Sequence, residues 1–339
     1  RWNNLVRYCI WHRYGVMSIE KKLLGTTPPT GIDGTDVFSA DAYSGTGGSL
    51  TVTNDIDLSG EGGLIIFKSR STHHPYLFDT ERGIDLVLQP NSINDEDDFS
   101  FLNLSTATDG WGLNSSESSL NSSSGTYVAW VFRKAESFFD IVTYTGNGST
   151  QSISHNLVES APKMMIVKAR SSSSYDWYVY HVNNVVVNQY VNLGPEDCYL
   201  RMNNTGNAGD SVDPWNSTLP TSTHFYVGAS GDTNANATTY VAYLFGDRDG
   251  ISKCGTYSGN GSNQNIDCGF SDGARFVFIK CSTNAGDWYI WDTSRGINSG
   301  SDPHLKLNPA NNPGESNADS IDYYSGGFNV VQNGTTNIN

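Results

Sequence analysis

The chain has 339 residues, of which 16% are charged and 12% aromatic, and its formal net charge is −15. Such an acidic chain lacks the basic surface that binds nucleic acid phosphates or anionic membranes, which argues against both as partners. Gly, Ser, Thr and Asn fill most polar positions, which favours short strands and tight turns over helices.

Residues 1–35 are interpreted as an N-terminal assembly segment or linker. Ser18–Leu24 is its one good helical stretch, and it ends before Gly25 and the pair Pro28 and Pro29. We find no apolar run followed by a small-residue cleavage site, so no signal peptide is predicted. No stretch of the chain reaches the roughly 20 apolar residues that a membrane helix needs.

Beyond this segment the same series of motifs recurs. A glycine turn (YSGTG, YTGNG, YSGNG) precedes an apolar run that ends in a lysine (LIIFK, MMIVK, FVFIK). The tyrosines of the turns are Tyr43, Tyr144 and Tyr257, and the lysines are Lys68, Lys168 and Lys280. Successive tyrosines are 101 and 113 residues apart and successive lysines 100 and 112, so two independent motifs share one spacing. A repeat of this length matches a whole small domain.

Each copy continues with an aromatic strand, such as DWYVYH from Asp176 and DWYIWD from Asp287. The first two copies close with YVAWVF (Tyr127–Phe132) and YVAYLF (Tyr240–Phe245). The continuous apolar and aromatic runs suit strands buried on both faces. We therefore predict an all-β protein of tandem β-sandwich domains, jelly-roll or concanavalin-like, with bounds 36–136, 137–249 and 250–339. The links between them are short, so neighbouring domains should touch and form a rod.

The third copy reaches GGFNVV (Gly326–Val331) without a strand like YVAYLF. Two explanations stay open: the chain continues past Asn339, or another chain supplies the strand. An open sheet edge is a template for strand pairing, so our hypothesis is that the N-terminal segment of a second copy fills it.

The five cysteines include no C-x-x-C pair, so a zinc site is not expected. Cys254, Cys268 and Cys281 fall in the third copy and could include a disulfide, but we favour buried free thiols.

Candidate chemical sites have simpler structural explanations. The group His73, His74, Asp79 and Glu81 contains metal-ligand types, but the other copies lack the histidine pair. The acidic run Asn94–Asp98 offers carboxylates for calcium, yet it lacks the spacing of an EF-hand loop and suits a solvated hairpin tip. The same two alternatives hold for the set Asp232, Asp247 and Asp249. We predict no cofactor, with calcium as the one alternative.

A D-T-x-R-G pattern occurs at Asp79–Gly83 and at Asp292–Gly296. Its repetition indicates a structural turn in which Asp pairs with Arg and Gly takes a positive φ. We find no nucleophile elbow, phosphate loop or Cys–His pairing, and no carboxylate that recurs in every copy, so the chain is predicted not to be an enzyme.

Tryptophans are the best candidates for binding chemistry, because their rings stack on sugars and anchor interfaces. Trp177 and Trp288 occupy the same place in two copies, which predicts core positions. Trp111 and Trp215 are not repeated and are the candidates for a binding surface.

The motifs MSIEKKLLG, Y-T/S-G-x-G, IDCGF, DWYIWDTSRG and TYVAYLF together resemble a family of structural proteins of tailed phages of marine bacteria, cyanobacteria in particular. The resemblance covers Met17 to Asn339. It implies a tail-fibre, appendage or capsid-decoration component located in the virion and made in the host cytoplasm.

Composition, repeat and resemblance together predict a non-enzymatic virion protein that acts by self-assembly and host-surface contact. Its expected partners are further copies, other virion proteins or a host surface glycan, without nucleic acid or membrane insertion. The alternative is a secreted array of carbohydrate-binding modules, and a polysaccharide depolymerase is a third, weaker candidate.

Overall fold

The computed structural model describes residues 31–187, 192–297, 300–311, 313–331, 336 and 338–339, and the backbone of residues 5–12. Within these ranges the protein is all-β, with several separate antiparallel sheets. Short helices span Gly34–Val37 (α1) and Gly231–Asn234 (α2), and 3-10 turns span Ser100–Leu102 and Pro195–Asp197. In the part of the chain described, no helix has the length and apolar character needed to cross a bilayer. The helix predicted at Ser18–Leu24 lies outside the described residues.

Three six-stranded antiparallel sheets carry the fold. Their strands, given in spatial order, are as follows. The first sheet contains β2 (Phe38–Ser44), β10 (Thr126–Arg133), β4 (Gly63–Ser69), β5 (Tyr76–Asp79), β6 (Leu86–Leu88) and β7 (Asp97–Asp98). The second contains β11 (Phe139–Thr145), β20 (Thr239–Phe245), β13 (Met164–Ala169), β14 (Tyr178–His181), β17 (Cys198–Arg201) and β18 (Gly209–Asp210). The third contains β21 (Ser252–Ser258), β1 (Leu5–His12), β23 (Ala274–Cys281), β24 (Trp288–Asp292), β25 (Asp302–Lys306) and β26 (Ser316–Ala318).

Smaller sheets accompany the large ones. The first unit has a sheet of β3 (Ser49–Thr53), β9 (Gly110–Asn114) and β8 (Ser105–Thr106). The second unit has two pairs, β12 (Gln151–Ser154) with β19 (His224–Val227) and β15 (Val186–Val187) with β16 (Asn192–Leu193). The third unit has a sheet of β22 (Gln264–Asp267), β28 (Gly327–Val330) and β27 (Ile321–Tyr324). We call each large sheet together with its smaller sheets a unit. The first unit holds β2–β10, the second β11–β20, and the third β1 with β21–β28.

The lysine-ended strands lie at the same place in every unit. Lys68 in β4 is opposite Val128 of β10, Lys168 in β13 is opposite Val241 of β20, and Lys280 in β23 is opposite a residue of β1. The predicted equivalence of the three lysines is therefore confirmed. The strands' apolar runs are also buried on both faces, as predicted.

Two kinds of core explain this double burial. Alternate side chains of a strand point to opposite faces of its sheet. In β4, Ile65 and Phe67 pack inside the first unit against its small sheet, where Trp111 also lies. Leu64 and Ile66 face the other way, into an apolar cluster that side chains from all three large sheets share. We call this cluster the central core.

Phe132 shows how the central core joins the units. Its ring lies 5.0 Å from the ring of Phe38 in its own unit, 5.8 and 5.7 Å from those of Phe139 and Phe245 in the second unit, and 5.7 Å from that of Phe276 in the third. The core leaves an apolar cavity of about 20 Å³, too small for a ligand. Apolar cavities of this kind stay dry, so the central core acts as packing.

The arrangement of the units differs from the prediction. We expected a rod of domains that each have a separate core. Instead, the first and third units also contact each other directly, for example through Arg70 and Glu315, which a linear rod would not allow. The physical reason is that the outer face of each large sheet is apolar and must be covered, and the three faces cover one another.

The N-terminal strand β1 completes the third sheet. It lies between β21 and β23, where β10 and β20 lie in the other two units. The predicted open position of the third unit is therefore occupied, and a segment of the same chain occupies it.

The cysteines only partly follow the prediction. Cys198, Cys268 and Cys281 are buried free thiols. Cys254 is disulfide-bonded, contrary to the expectation of free thiols, and the residue opposite it in the register of β21 and β1 is Cys9.

We expect Phe132→Ala to lower the free energy of unfolding by about 3–5 kcal/mol, the usual effect of removing a large core ring. Because this ring contacts all three units, calorimetry should show one transition that moves as a whole. The control is Phe101→Ala, whose ring is 54% exposed and whose loss should change stability by less than about 0.5 kcal/mol. Three separate transitions, of which only one shifts, would contradict a core that couples the units.

Candidate functional site

The repeated lysines lie at the rim of the central core and are fully buried. Their ammonium groups donate to backbone carbonyls. The Nζ of Lys168 lies 2.8 Å from the carbonyl oxygen of Ile93 in the first unit, and that of Lys280 lies 3.0 Å from Thr205 O in the second. Lys68 donates instead to carbonyls of its own unit, at Ser69, Ser71 and His73. Two of the three lysines therefore tie one unit to the preceding one.

Burial lowers the pKa of each of these lysines to about 8. Desolvation is the largest cause, because an ammonium removed from water loses its hydration and backbone carbonyls replace only part of it.

Two repeated tryptophans join the same units. Trp177 Nε1 donates to the carbonyl oxygens of Gln89 and Ser92, at 3.1 and 2.9 Å, and Trp288 Nε1 donates to that of Arg201 at 2.8 Å. Both rings are buried, which confirms their predicted core positions. They lie in the core between units, with the indole N–H reaching the neighbour's backbone.

The D-T-x-R-G turns have the predicted internal structure. Asp79 pairs with Arg82 at 2.5 Å and Asp292 with Arg295 at 2.7 Å. Gly83 has a φ of 109° and Gly296 one of 120°, the left-handed region that favours glycine.

Each turn also receives a hydrogen bond from another unit. Tyr243 Oη of the second unit lies 2.8 Å from Asp79 Oδ2, and Trp130 Nε1 of the first unit lies 2.9 Å from Asp292 Oδ2. Burial by itself would raise the pKa of Asp292. Arg295, with the hydrogen bonds from Ser294 and Trp130, outweighs this effect and holds that pKa below its usual value.

A glutamate extends both contacts. Glu96 accepts a bidentate hydrogen bond from Arg170 of the second unit and another from Arg82. Glu315 accepts a bidentate hydrogen bond from Arg70 of the first unit and a single one from Arg295. Bidentate pairs fix orientation as well as distance. The first–second and first–third interfaces therefore each contain a charged network of the same kind.

In the part of the chain that the structure describes, no Glu–Arg pair of this kind joins the second and third units. Here Ala208 N donates to Ser282 O, where the other interfaces have Glu96 N bonded to Arg170 O and Glu315 N to Arg70 O. The sequence analysis singled out the acidic run that contains Glu96 without predicting its arginine partners, and it missed Glu315, because a single glutamate has no local pattern that marks it.

The motif tyrosines hold the glycine turns. Tyr43, Tyr144 and Tyr257 donate to the carbonyl oxygens of Leu120, Thr233 and Ile338. The residue after each of these carbonyls is an asparagine, at 121, 234 or 339, whose Oδ1 accepts a turn N–H. The sequence contained a repeated pattern that marks two of these asparagines, because Asn121 and Asn234 each lie six residues before the tyrosine of the closing strand.

The prediction that Trp111 and Trp215 form a binding surface is wrong. Trp111 is 1% exposed and Trp215 0%. Each indole N–H has an internal acceptor, Asp41 Oδ2 for Trp111 and Cys198 O for Trp215. Both rings fill the space between a unit's sheets. Absence from the repeat therefore did not indicate exposure.

The metal-type side chains do not converge. Asp79 is paired with Arg82, Glu81 with Lys134, and His74 hydrogen-bonds to Asn91. Of the second acidic set, Asp247 binds Lys253 and Asp232 accepts from Asp176 N. Among the described residues, a close group of three carboxylates occurs elsewhere, at Asp302, Asp319 and Asp322.

The acidic run borders a cavity of about 390 Å³ at the edge of the first unit. Val87, Gln89, Asn94, Asp95, Glu96, Asp97 and Phe99 line it. Glu96 is held by two arginines, whereas Asp95 and Asp97 are exposed. The volume falls in the usual range for small-ligand sites.

Exposed aromatic surface adjoins this cavity. The Phe99 ring lies 5.0 Å from that of Phe101, which is more than half exposed. We call the cavity with Phe101 the acidic rim. It combines an open cavity, carboxylates, amides and an aromatic ring. Sequence analysis noted its acidic run but missed the phenylalanines.

A family model, described as a domain of unknown function (DUF7483), matches residues 33–339. The chain belongs to the DUF7483 family. No curated protein and no solved structure matches the chain. The matched segment of this family member begins at the residue that caps α1, so it contains all three large sheets except β1.

We expect Tyr243→Phe to destabilise the fold by about 1–3 kcal/mol, because the buried Asp79 carboxylate loses a donor from the neighbouring unit. Chemical denaturation measures this difference. Tyr226→Phe, at a half-buried ring in β19, is the matched control and should have a smaller effect. Equal effects would show that the Tyr243 hydroxyl does not join the units.

The lowered lysine pKa values predict a pH effect. Between pH 8 and about 10 the folded state releases lysine protons that the unfolded state, near 10.5, retains, so this contribution raises stability as pH increases. Lys168→Met should reduce the increase of the denaturation midpoint between pH 7.5 and 9.5. Lys163→Met, which removes a partly exposed ammonium, should leave the slope unchanged. A slope that Lys168→Met does not alter would refute the assignment.

Proposed function

We propose that this DUF7483 protein is a non-enzymatic structural protein of a virion, such as a tail fibre, appendage or capsid decoration. In this proposal, three β-sandwich units form a rigid block that assembles with further copies or other virion proteins and contacts a host surface. The sequence resemblance to structural proteins of tailed phages supports the location.

The observation that carries the proposal is the use made of the repeated polar groups. The lysines, tryptophans and Asp–Arg turns bind other parts of the protein, mostly across unit boundaries. A repeated catalytic or binding site would present such groups to a cleft. Here the repeat supplies rigidity, and the features that differ between units are left for recognition.

The acidic rim is the surface that we assign to contact with a host glycan. Its carboxylates and amides can bind sugar hydroxyls, and the exposed ring of Phe101 can stack on a sugar face. The acidic rim also favours the second candidate function, a secreted array of carbohydrate-binding modules. The two candidates differ in assembly, because a module array works as single chains.

The test has two measurements on the full chain. Electron microscopy of the purified protein should show ordered assemblies, and labelled protein should bind cells or surface polysaccharide of marine cyanobacteria. We expect Phe101→Ala to weaken that binding roughly ten-fold, as for a contact hot spot. Leu219→Ala, at an exposed apolar residue of the second unit, is the matched control.

Glycan binding by isolated single chains would favour the module array over the virion protein. Absence of both assembly and cell binding would overturn the proposal. Loss of polysaccharide viscosity on incubation would show that the protein is an enzyme.

A further inference from the structure

In the second unit, a tyrosine near the edge of the large sheet carries a second ring and a cation. The Tyr199 ring stacks on that of Tyr178, with 4.4 Å between the ring centres. Arg201 lies over both rings, 5.4 Å from the centre of Tyr178 and 4.9 Å from that of Tyr199. Its Nε also lies 3.0 Å from Asp176 Oδ2. A cation over an aromatic face is attracted by the charge distribution of the ring, so this group is complete within the chain.

The third unit repeats the arrangement with other residues. The ring of His304 lies 5.5 Å from that of Tyr289, which has the same register position as Tyr178. Lys306 Nζ lies 5.2 Å from the centre of the Tyr289 ring and 2.8 Å from Asp287 Oδ2. Two units thus supply a ring, a cation and a carboxylate from their own sequence.

In the first unit, both the ring and the cation are replaced. The equivalent tyrosine is Tyr76, at the same register position opposite β4. Val87 lies where the second unit has Tyr199, and Gln89 lies where that unit has Arg201. Valine is much shorter than tyrosine, and both Val87 and Gln89 line the cavity of about 390 Å³ at the acidic rim. The cavity therefore lies where the other units place their own ring and cation.

Carboxylates are added at the same place. Asp97 is the register partner of Val87, where the other two units have Gly209 and Ser316. Asp95, two residues earlier, also lines the cavity, and both carboxylates are exposed. Among the described residues neither forms an ion pair, since the two nearby arginines bind the glutamate between them. The first unit thus presents negative charge where the others supply a cation.

A protonated amino sugar supplies both of the replaced parts, because it combines a ring with an ammonium group. The ammonium can bind Asp95 and Asp97 through charge-assisted hydrogen bonds. The sugar face can pack on the rings of Phe99 and Phe101, whose centres are 5.0 Å apart. An acidic sugar would meet the same two carboxylates and be repelled.

We propose that the acidic rim is a binding site for amino sugars with a free, protonated amine, such as glucosamine residues of a host surface glycan. This inference rests on the proposed function, because it names the sugar class that the acidic rim takes.

The test is calorimetric titration of the full chain with three probes. They are a glucosamine tetramer, the N-acetylated tetramer of the same linkage and a tetralysine peptide. Acetylation removes the charge and keeps the rings, whereas tetralysine keeps the charge and has no sugar ring. We expect the glucosamine tetramer to bind roughly ten-fold more tightly than either of the others, and added salt to weaken its binding.

Three variants locate the site. Asp97→Asn should weaken binding of the glucosamine tetramer roughly five-fold, because one exposed charge pair is lost. Gln89→Arg should weaken it further, because the chain then supplies the cation itself, as the second unit does. Asp210→Asn removes an exposed carboxylate from the edge strand of the second unit, and this matched control should leave the affinity unchanged. Denaturation midpoints check that each variant is folded.

No binding of the glucosamine tetramer, or equal affinity for either of the other probes, would overturn the inference. So would folded Asp97→Asn and Gln89→Arg variants that bind as the original chain does. If binding to cells still depended on Phe101, the proposed function would stand with a different sugar at the acidic rim. Glucosamine binding without assembly or cell binding would support the inference and overturn the virion proposal.

Discussion

The constraint on which the fold depends is that each large sheet must bury two apolar faces. A sandwich covers one face of each sheet with a second sheet. The small sheets here cover the inner faces, and side chains such as Leu64, Ile166 and Phe276 remain on the outer ones. Packing the three outer faces together removes them from water and makes the units interdependent. Apolar packing of this kind is non-directional, so the orientation of the units requires further contacts.

Polar groups at the rim of the central core supply that orientation. The Asp79–Arg82 and Asp292–Arg295 turns each accept a donor from another unit, and Glu96 and Glu315 add bidentate arginines. A buried charge destabilises a fold unless its partners are complete, so these networks tolerate few alternative arrangements. Among the described residues, the interface between the second and third units is the one without a Glu–Arg pair, and the sheet of the third unit also depends on β1.

Repeated side chains and features found in only one unit have different roles. Groups that recur in the units are buried and committed to internal contacts, whereas the acidic rim is particular to the first unit. The slot that β1 occupies is particular to the third. The proposed function places interaction with other molecules at a feature that the repeat does not contain, and it leaves the repeated side chains with a structural role.

Much of the fold was readable from the sequence because its signals are local. The apolar runs ending in Lys68, Lys168 and Lys280 predicted strands buried on both faces, and D-T-x-R-G predicted an Asp–Arg turn with a glycine at positive φ. The exposure of Trp111 and Trp215 was predicted wrongly, because burial depends on which sheet covers a ring. The shared core, the pairing of β1 with β21 and β23, and the donors from Tyr243 and Trp130 join residues more than a hundred positions apart. Such contacts follow from how sheets pack in three dimensions, and the tertiary structure alone decided them.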